Sequence, residues 1–140
     1  PVVDALPEKK EEAVADNPRG DEKVLVAEDN EELRNLLRTI LTEQGYIVFE
    51  AVDGLEAVQI QQRCQADLVL LDVVMPKMNG KEAYERLKAI NPDTRVLFMS
   101  GYTDIIHQKG VLDGTLDYIP KPILPRDLLK KVREMLDDRQ

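Results

Sequence analysis

From Lys23 onward, short apolar runs alternate with stretches of helical period, and four of the five runs end in a polar or charged residue. Val24-Leu25-Val26-Ala27 leads into Glu28-Asp29, and Leu68-Val69-Leu70-Leu71 into Asp72. Val96-Leu97-Phe98-Met99 leads into Ser100, and Leu116-Asp117-Tyr118-Ile119-Pro120 into Lys121. Strands that alternate with helices build a parallel sheet covered on both faces, because the crossovers are right-handed. The carboxyl ends of such strands share one edge, where open α/β sheets bind ligands. Three carboxylates, a hydroxyl and an ammonium would therefore meet in one crevice. Close carboxylates repel unless a cation lies between them, so the set calls for a hard, oxygen-binding metal such as Mg²⁺. The lysine and the hydroxyl suit an incoming phosphoryl group.

The intervening stretches read as helices. Leu33, Leu36, Leu37, Ile40 and Leu41 share one face, with Asn30 as N-cap and Glu31 and Glu32 in the first turn. Gly45 ends that helix, and Tyr46 to Glu50 is expected as the second strand. A second helix follows Asp53-Gly54 with Ala57, Ile60 and Cys64 inward. The third opens at Asn79-Gly80, carries Ala83, Leu87 and Ile90, and closes at Asn91-Pro92. A shorter helix is expected over about 103–112, and the last starts after Pro125 and buries Leu128, Leu129, Val132 and Leu136. The second strand ends in Glu50-Ala51 without an evident member of the polar set. That fits a strand order of 2-1-3-4-5, which puts strand 2 at the far edge and the switch point between strands 1 and 3.

The chain has 140 residues, enough for one domain with a sizeable core. Its net charge of −8 argues against direct nucleic-acid binding, which needs clustered Lys and Arg. The single Cys64 excludes an internal disulfide. No apolar run is long enough to span a membrane and no signal-peptide pattern is present, so a cytoplasmic domain without membrane contact is expected. Pro1 to Gly20 is rich in Glu, Lys, Asp, Ala and Pro and lacks a sustained apolar period. Such a segment cannot bury enough surface to offset its ordering entropy. Residues 1–22 are therefore expected to be a flexible linker, and residues 23–138 the folded domain. A start at Pro1-Val2-Val3, without an initiator Met, reads as a piece of a longer protein.

Taken together, Glu28-Asp29, Asp72-Val73-Val74-Met75-Pro76 with Gly80 beyond it, Ser100, and Lys121-Pro122 resemble the motifs of a response-regulator receiver domain. The resemblance runs from about Lys23 to Leu136. It implies the flavodoxin-like doubly wound (βα)5 fold, whose strand order is the one inferred above. It implies that Asp72 accepts a phosphoryl group from a phosphohistidine, as a nucleophilic carboxylate. Mg²⁺ would be held by Asp29 and Asp72 directly, by Glu28 through water and by the backbone carbonyl of Val74. Lys121 and Ser100 would take the phosphoryl oxygens. The domain itself would be a phosphoacceptor with at most self-phosphorylation and self-dephosphorylation activity. Val96 to Thr103 and Asp117 to Pro122 look most like receivers at the end of hybrid sensor histidine kinases, and Pro1-Val2-Val3 like the tail of a kinase ATP-binding domain. The implied partners are a histidine kinase core or a histidine phosphotransfer protein, with a stand-alone regulator as the alternative. The resemblance further implies a cis Lys121-Pro122 peptide and a switch in which Ser100 moves toward the phosphoryl group and Tyr118 turns inward. The surface of the 103–112 helix, strand 5 and the last helix would then change, and it would also suit weak dimerisation.

Each residue alone has a plainer reading. Glu28-Asp29 suits a helix start, Asp72 or Ser100 a turn, Lys121 a surface cation and Tyr118 an amphipathic rim residue. His107, Cys64 and the methionines read as surface or core residues. Gly101 stands where the family favours alanine, and Val74 and Tyr102 occupy two variable positions that, in the family, flank the path of the hydrolytic water. A flavin carrier of the same fold needs a hydroxyl- and amide-rich phosphate loop where this chain has Glu28-Asp29-Asn30. An aspartyl phosphatase needs a second acid at position 74, which is Val. A binding module that has lost phosphorylation would not need the complete set.

Overall fold

The computed structural model describes residues 20–74, 78, 80–101 and 117–137. The strands are β1 (Lys23–Ala27), β2 (Ile47–Ala51), β3 (Leu68–Asp72), β4 (Arg95–Ser100) and β5 (Asp117–Pro120). The helices among the described residues are α1 (Glu31–Glu43), α2 (Gly54–Cys64), α3 (Gly80–Ile90) and α4 (Pro125–Asp137). All neighbouring strands run parallel, in the order β2-β1-β3-β4-β5. The helix expected over about 103–112 lies outside the described residues, as do Tyr102, His107 and Leu116.

Successive side chains of a strand point to opposite faces, and the core divides accordingly. Val24, Val26, Leu68, Leu70, Leu97, Met99 and Ile119 face α1 and α4. Leu25, Ala27, Val69, Leu71, Val96 and Phe98 face α2 and α3. Burial on both faces explains why β1, β3 and β4 are continuous apolar runs rather than alternating ones. β2, at the edge, is only partly buried until Ala51. It begins one residue later than the sequence suggests, because Tyr46 is a core residue before the strand.

Local chemistry sets the helix ends. The Asn30 side chain accepts from the Leu33 N–H at 3.0 Å, and Asp53 accepts from the Glu56 N–H at 2.8 Å, each satisfying a donor that the helix leaves unpaired. Gly45 follows α1 with φ +99°, a conformation that costs glycine little. Two inward faces differ from expectation. Leu36 is 46% exposed, because the buried stripe of α1 runs through Leu37, Ile40 and Leu41. In α2, Ile60 and Cys64 are only partly covered, whereas Val58 and Gln61 are buried. The Gln61 amide stays satisfied there, donating to the Ala66 carbonyl at 3.0 Å and accepting from the Ala66 N–H at 2.9 Å.

Candidate functional site

The carboxyl edge of the sheet gathers the polar residues. Parallel pairing sets Ala27 beside Leu71, Asp72 beside Met99, and Ser100 beside Pro120, so the residues that follow these strands emerge together. Backbone bonds continue past the ladders: the Glu28 N–H donates to the Ala51 carbonyl at 3.0 Å, and the Lys121 N–H to the Ser100 carbonyl at 2.8 Å. The Lys121-Pro122 peptide is cis, as the family resemblance implies.

Glu28, Asp29 and Asp72 each place a carboxylate oxygen within 4.8 Å of the others. Glu28 and Asp72 are buried and Asp29 is exposed. From the end of β5, the Lys121 ammonium reaches Asp72 Oδ2 at 3.2 Å and Glu28 Oε1 at 3.4 Å. Backbone amides take the other oxygens: Asn30 donates to Glu28 Oε2 at 3.1 Å, and Val74 to Asp72 Oδ1 at 3.2 Å. Ser100 is 0% exposed. Its hydroxyl has no hydrogen-bond partner among the described residues, which is costly for a buried polar atom unless a ligand completes it, and Glu28 Oε1 has only the Lys121 ammonium beside it.

The electrostatics follow from burial and crowding. Burial pushes the Glu28 carboxyl up to about 7, against the Asn30 N–H, and the neighbouring charge of Asp72 adds to the rise. Asp72 is also raised, because its burial outweighs the attraction of Lys121. Burial opposes the charged form of Lys121, but Asp72 and Glu28 overcome it and hold the ammonium above its ordinary pKa. Two buried acids and one cation leave this crevice with an excess of negative charge. Hard carboxylate oxygens in that state suit a divalent cation.

Tyr118 is 43% exposed on β5, beside Phe98 in the register of β4. It lies on the rim of a groove shared with Lys121, Leu124, Lys130 and Lys131. Val74 is 49% exposed at the mouth of the crevice.

Two residues join the site that the strand-end pattern does not reveal. Arg34 of α1 donates to the Glu28 carbonyl at 2.8 Å, and its Nε lies 3.3 Å from Glu50 Oε1. Glu50, on β2, is thus tied to the site through Arg34. On an amphipathic helix an arginine reads as surface, and its partner Glu50 lies on a separate strand.

With a parallel 2-1-3-4-5 sheet and this acid–lysine–hydroxyl edge in place, the likeness to known proteins is specific. The chain belongs to the response regulator receiver domain family, whose profile matches residues 24–133. It is 37% identical over 115 residues to Sporulation initiation phosphotransferase F of Bacillus subtilis, covering 79% of this chain and 92% of that protein. It is 35% identical over 136 residues to Sensor kinase CckA of Brucella abortus, covering 95% of this chain but only 14% of that protein. It likewise spans only 50% of Response regulator MprA of Mycobacterium leprae, to which it is 33% identical over 115 residues and 81% of its own length. Among solved structures, the receiver domain from Hybrid Histidine Kinase CckA superposes with a TM-score of 0.70 at 29% identity, covering 82% of this chain and 99% of that one. A CheY-like receiver domain protein from Methanospirillum hungatei gives 0.75 at 28% identity, covering 86% and 97%. Among the described residues, no helix is long and apolar enough to cross a membrane.

Proposed function

We propose that the domain accepts a phosphoryl group on Asp72 from a phosphohistidine of a partner, with Mg²⁺ bound at the acidic cluster. The observation that carries this reading is a buried Asp72 beside Lys121, at a sheet edge where the Ser100 hydroxyl is buried without a partner among the described residues. The donor set fits the ion: three carboxylates converge, two of them buried, with one ammonium between them. Asp29 and Asp72 would hold it directly, Glu28 through water, and Val74 through its carbonyl. When bound, Mg²⁺ would neutralise charge that spreads over the phosphoryl oxygens in the loose transition state. An Asp72 oxygen forms the new bond to phosphorus as the phosphorus–nitrogen bond breaks. The leaving imidazole keeps that electron pair and takes up a proton. The Lys121 ammonium and the Ser100 hydroxyl donate to the transferred oxygens, and Lys121 stays charged because its carboxylate neighbours favour the ammonium.

The reading extends to a cytoplasmic setting in which a histidine kinase core or histidine phosphotransfer protein supplies or receives the phosphoryl group. A hybrid kinase context is supported by the CckA match, which covers 95% of the chain and so runs into the segment before Lys23. A stand-alone regulator is the second reading, supported by the 92% coverage of the phosphotransferase. Movement of Ser100 toward the phosphoryl group, with an inward turn of the exposed Tyr118, is the proposed output, and it would alter the groove beside β5 and α4.

With Mg²⁺ and a small phosphodonor, the intact protein should gain one phosphate by mass spectrometry, and Asp72→Asn none. Equal labelling of the two proteins overturns the assignment.

A further inference from the structure

The backbone of Glu28 is held on both sides. The Glu28 N–H is bonded to Ala51 at the end of β2, and the Glu28 carbonyl accepts from Arg34 Nη1. That carbonyl belongs to the peptide unit that joins Glu28 to Asp29. A peptide unit is planar, so the direction of its carbonyl fixes where the Asp29 N–H and Cα lie. Arg34 is itself anchored. Its side chain is 14% exposed, and its Nε faces Glu50 Oε1 at 3.3 Å while Arg38 holds the second Glu50 oxygen at 3.5 Å. One guanidinium thus spans α1, the start of the acidic loop and β2.

We infer that Arg34, braced by Glu50, is a positioning residue for the acidic pair: by pinning the Glu28–Asp29 peptide it sets the Asp29 carboxylate for the cation. The inference rests on the phosphoacceptor reading above. An arginine suits the task because its planar fork serves the carbonyl and the carboxylate together, which a lysine cannot do with one nitrogen. Supports of this kind behind metal ligands are worth roughly 10–100-fold in affinity.

A charge effect would have the opposite sign. A cation close to three carboxylates repels Mg²⁺, so on charge alone the loss of Arg34 should tighten binding. Positioning requires it to weaken binding.

The test measures Mg²⁺ affinity by calorimetry on the full chain, with the Asp29 amide resonance of the metal-free protein as a second readout. Arg34→Gln should weaken Mg²⁺ about tenfold or more and displace the Asp29 resonance. Unchanged or tighter binding overturns the inference. Arg34→Lys keeps the charge and loses the fork, so it also should bind Mg²⁺ more weakly, and it stands in if Arg34→Gln does not fold. Wild-type affinity in Arg34→Lys equally overturns the inference. Wild-type protein that binds no Mg²⁺ refutes the phosphoacceptor reading itself, whereas normal wild-type binding with normal binding by the variants refutes only the role of Arg34.

Discussion

Lys121 sits between Asp72 Oδ2 and Glu28 Oε1 at 3.2 and 3.4 Å, where it offsets part of the charge that a metal would also offset. Its two roles can be separated, because the carboxylates that bind a cation remain when the lysine is removed. Lys121→Met should bind Mg²⁺ at least as tightly as the wild type, since a competing positive charge is gone. Phosphoryl transfer to Asp72 should fall on the order of a hundredfold, the usual loss of one donor to a developing oxyanion. Calorimetry and phosphodonor kinetics on the same protein check both halves. Weakened metal binding with full labelling speed would contradict this division. Ser100 differs in kind: its buried hydroxyl has no partner among the described residues, so its contribution there begins when an acceptor arrives.

At the scale of elements, the end of β3 packs closely against the start of α3. The Gly80 N–H donates to the Val73 carbonyl at 3.1 Å, and a Cβ at Gly80 would lie 3.0 Å from both Val73 Cα and Val73 O. Those neighbours are backbone and cannot swing aside. Alanine would gain up to about 1 kcal/mol in helix propensity, but overpacking against fixed backbone costs about 1–3 kcal/mol. Gly80→Ala should therefore destabilise the domain in urea unfolding and slow labelling of Asp72; a more stable, fully active variant would refute the tight approach. These elements differ in how legible they are from sequence. The strands were legible because burial on both faces makes them continuous apolar runs, and each run stops where the crevice begins. Asn30 and Asp53 announced their helices because caps act locally. Leu36 was misjudged because helical period sets a stripe but not its rotation against the sheet. Arg34 and Glu50 escaped because their bond joins distant elements, and no local pattern encodes it.

For the molecule as a whole, the amino edge of the sheet carries its own polar cluster. Arg133 of α4 donates to Glu22 Oε1 at 3.1 Å, to the Tyr46 hydroxyl at 3.3 Å and to Asp137 Oδ1 at 2.8 Å. The hydrogen bond from Arg133 holds the Glu22 carboxyl below the ordinary glutamate pKa. A carboxyl lowered in this way stabilises the fold fully above its unfolded value, and the benefit is lost as pH falls through the folded value. Arg133→Gln should cost about 1–2 kcal/mol near neutral pH, the scale of a half-buried charge-assisted bond. The gap between wild type and variant in denaturant unfolding should close as pH drops below roughly 4. A gap that stays constant to pH 3 would mean that Glu22 is not the partner that matters. Gly20 is bonded to Gln44 at this same edge, so the last residues of the segment expected to be a linker are fastened to the domain. β1 then carries the chain through five residues, about 16 Å, before Glu28 is reached. Gly20 and the acidic crevice thus lie at opposite ends of the sheet. On the phosphoacceptor reading proposed above, a protein presenting its histidine would approach the pole of the sheet that Gly20 leaves clear.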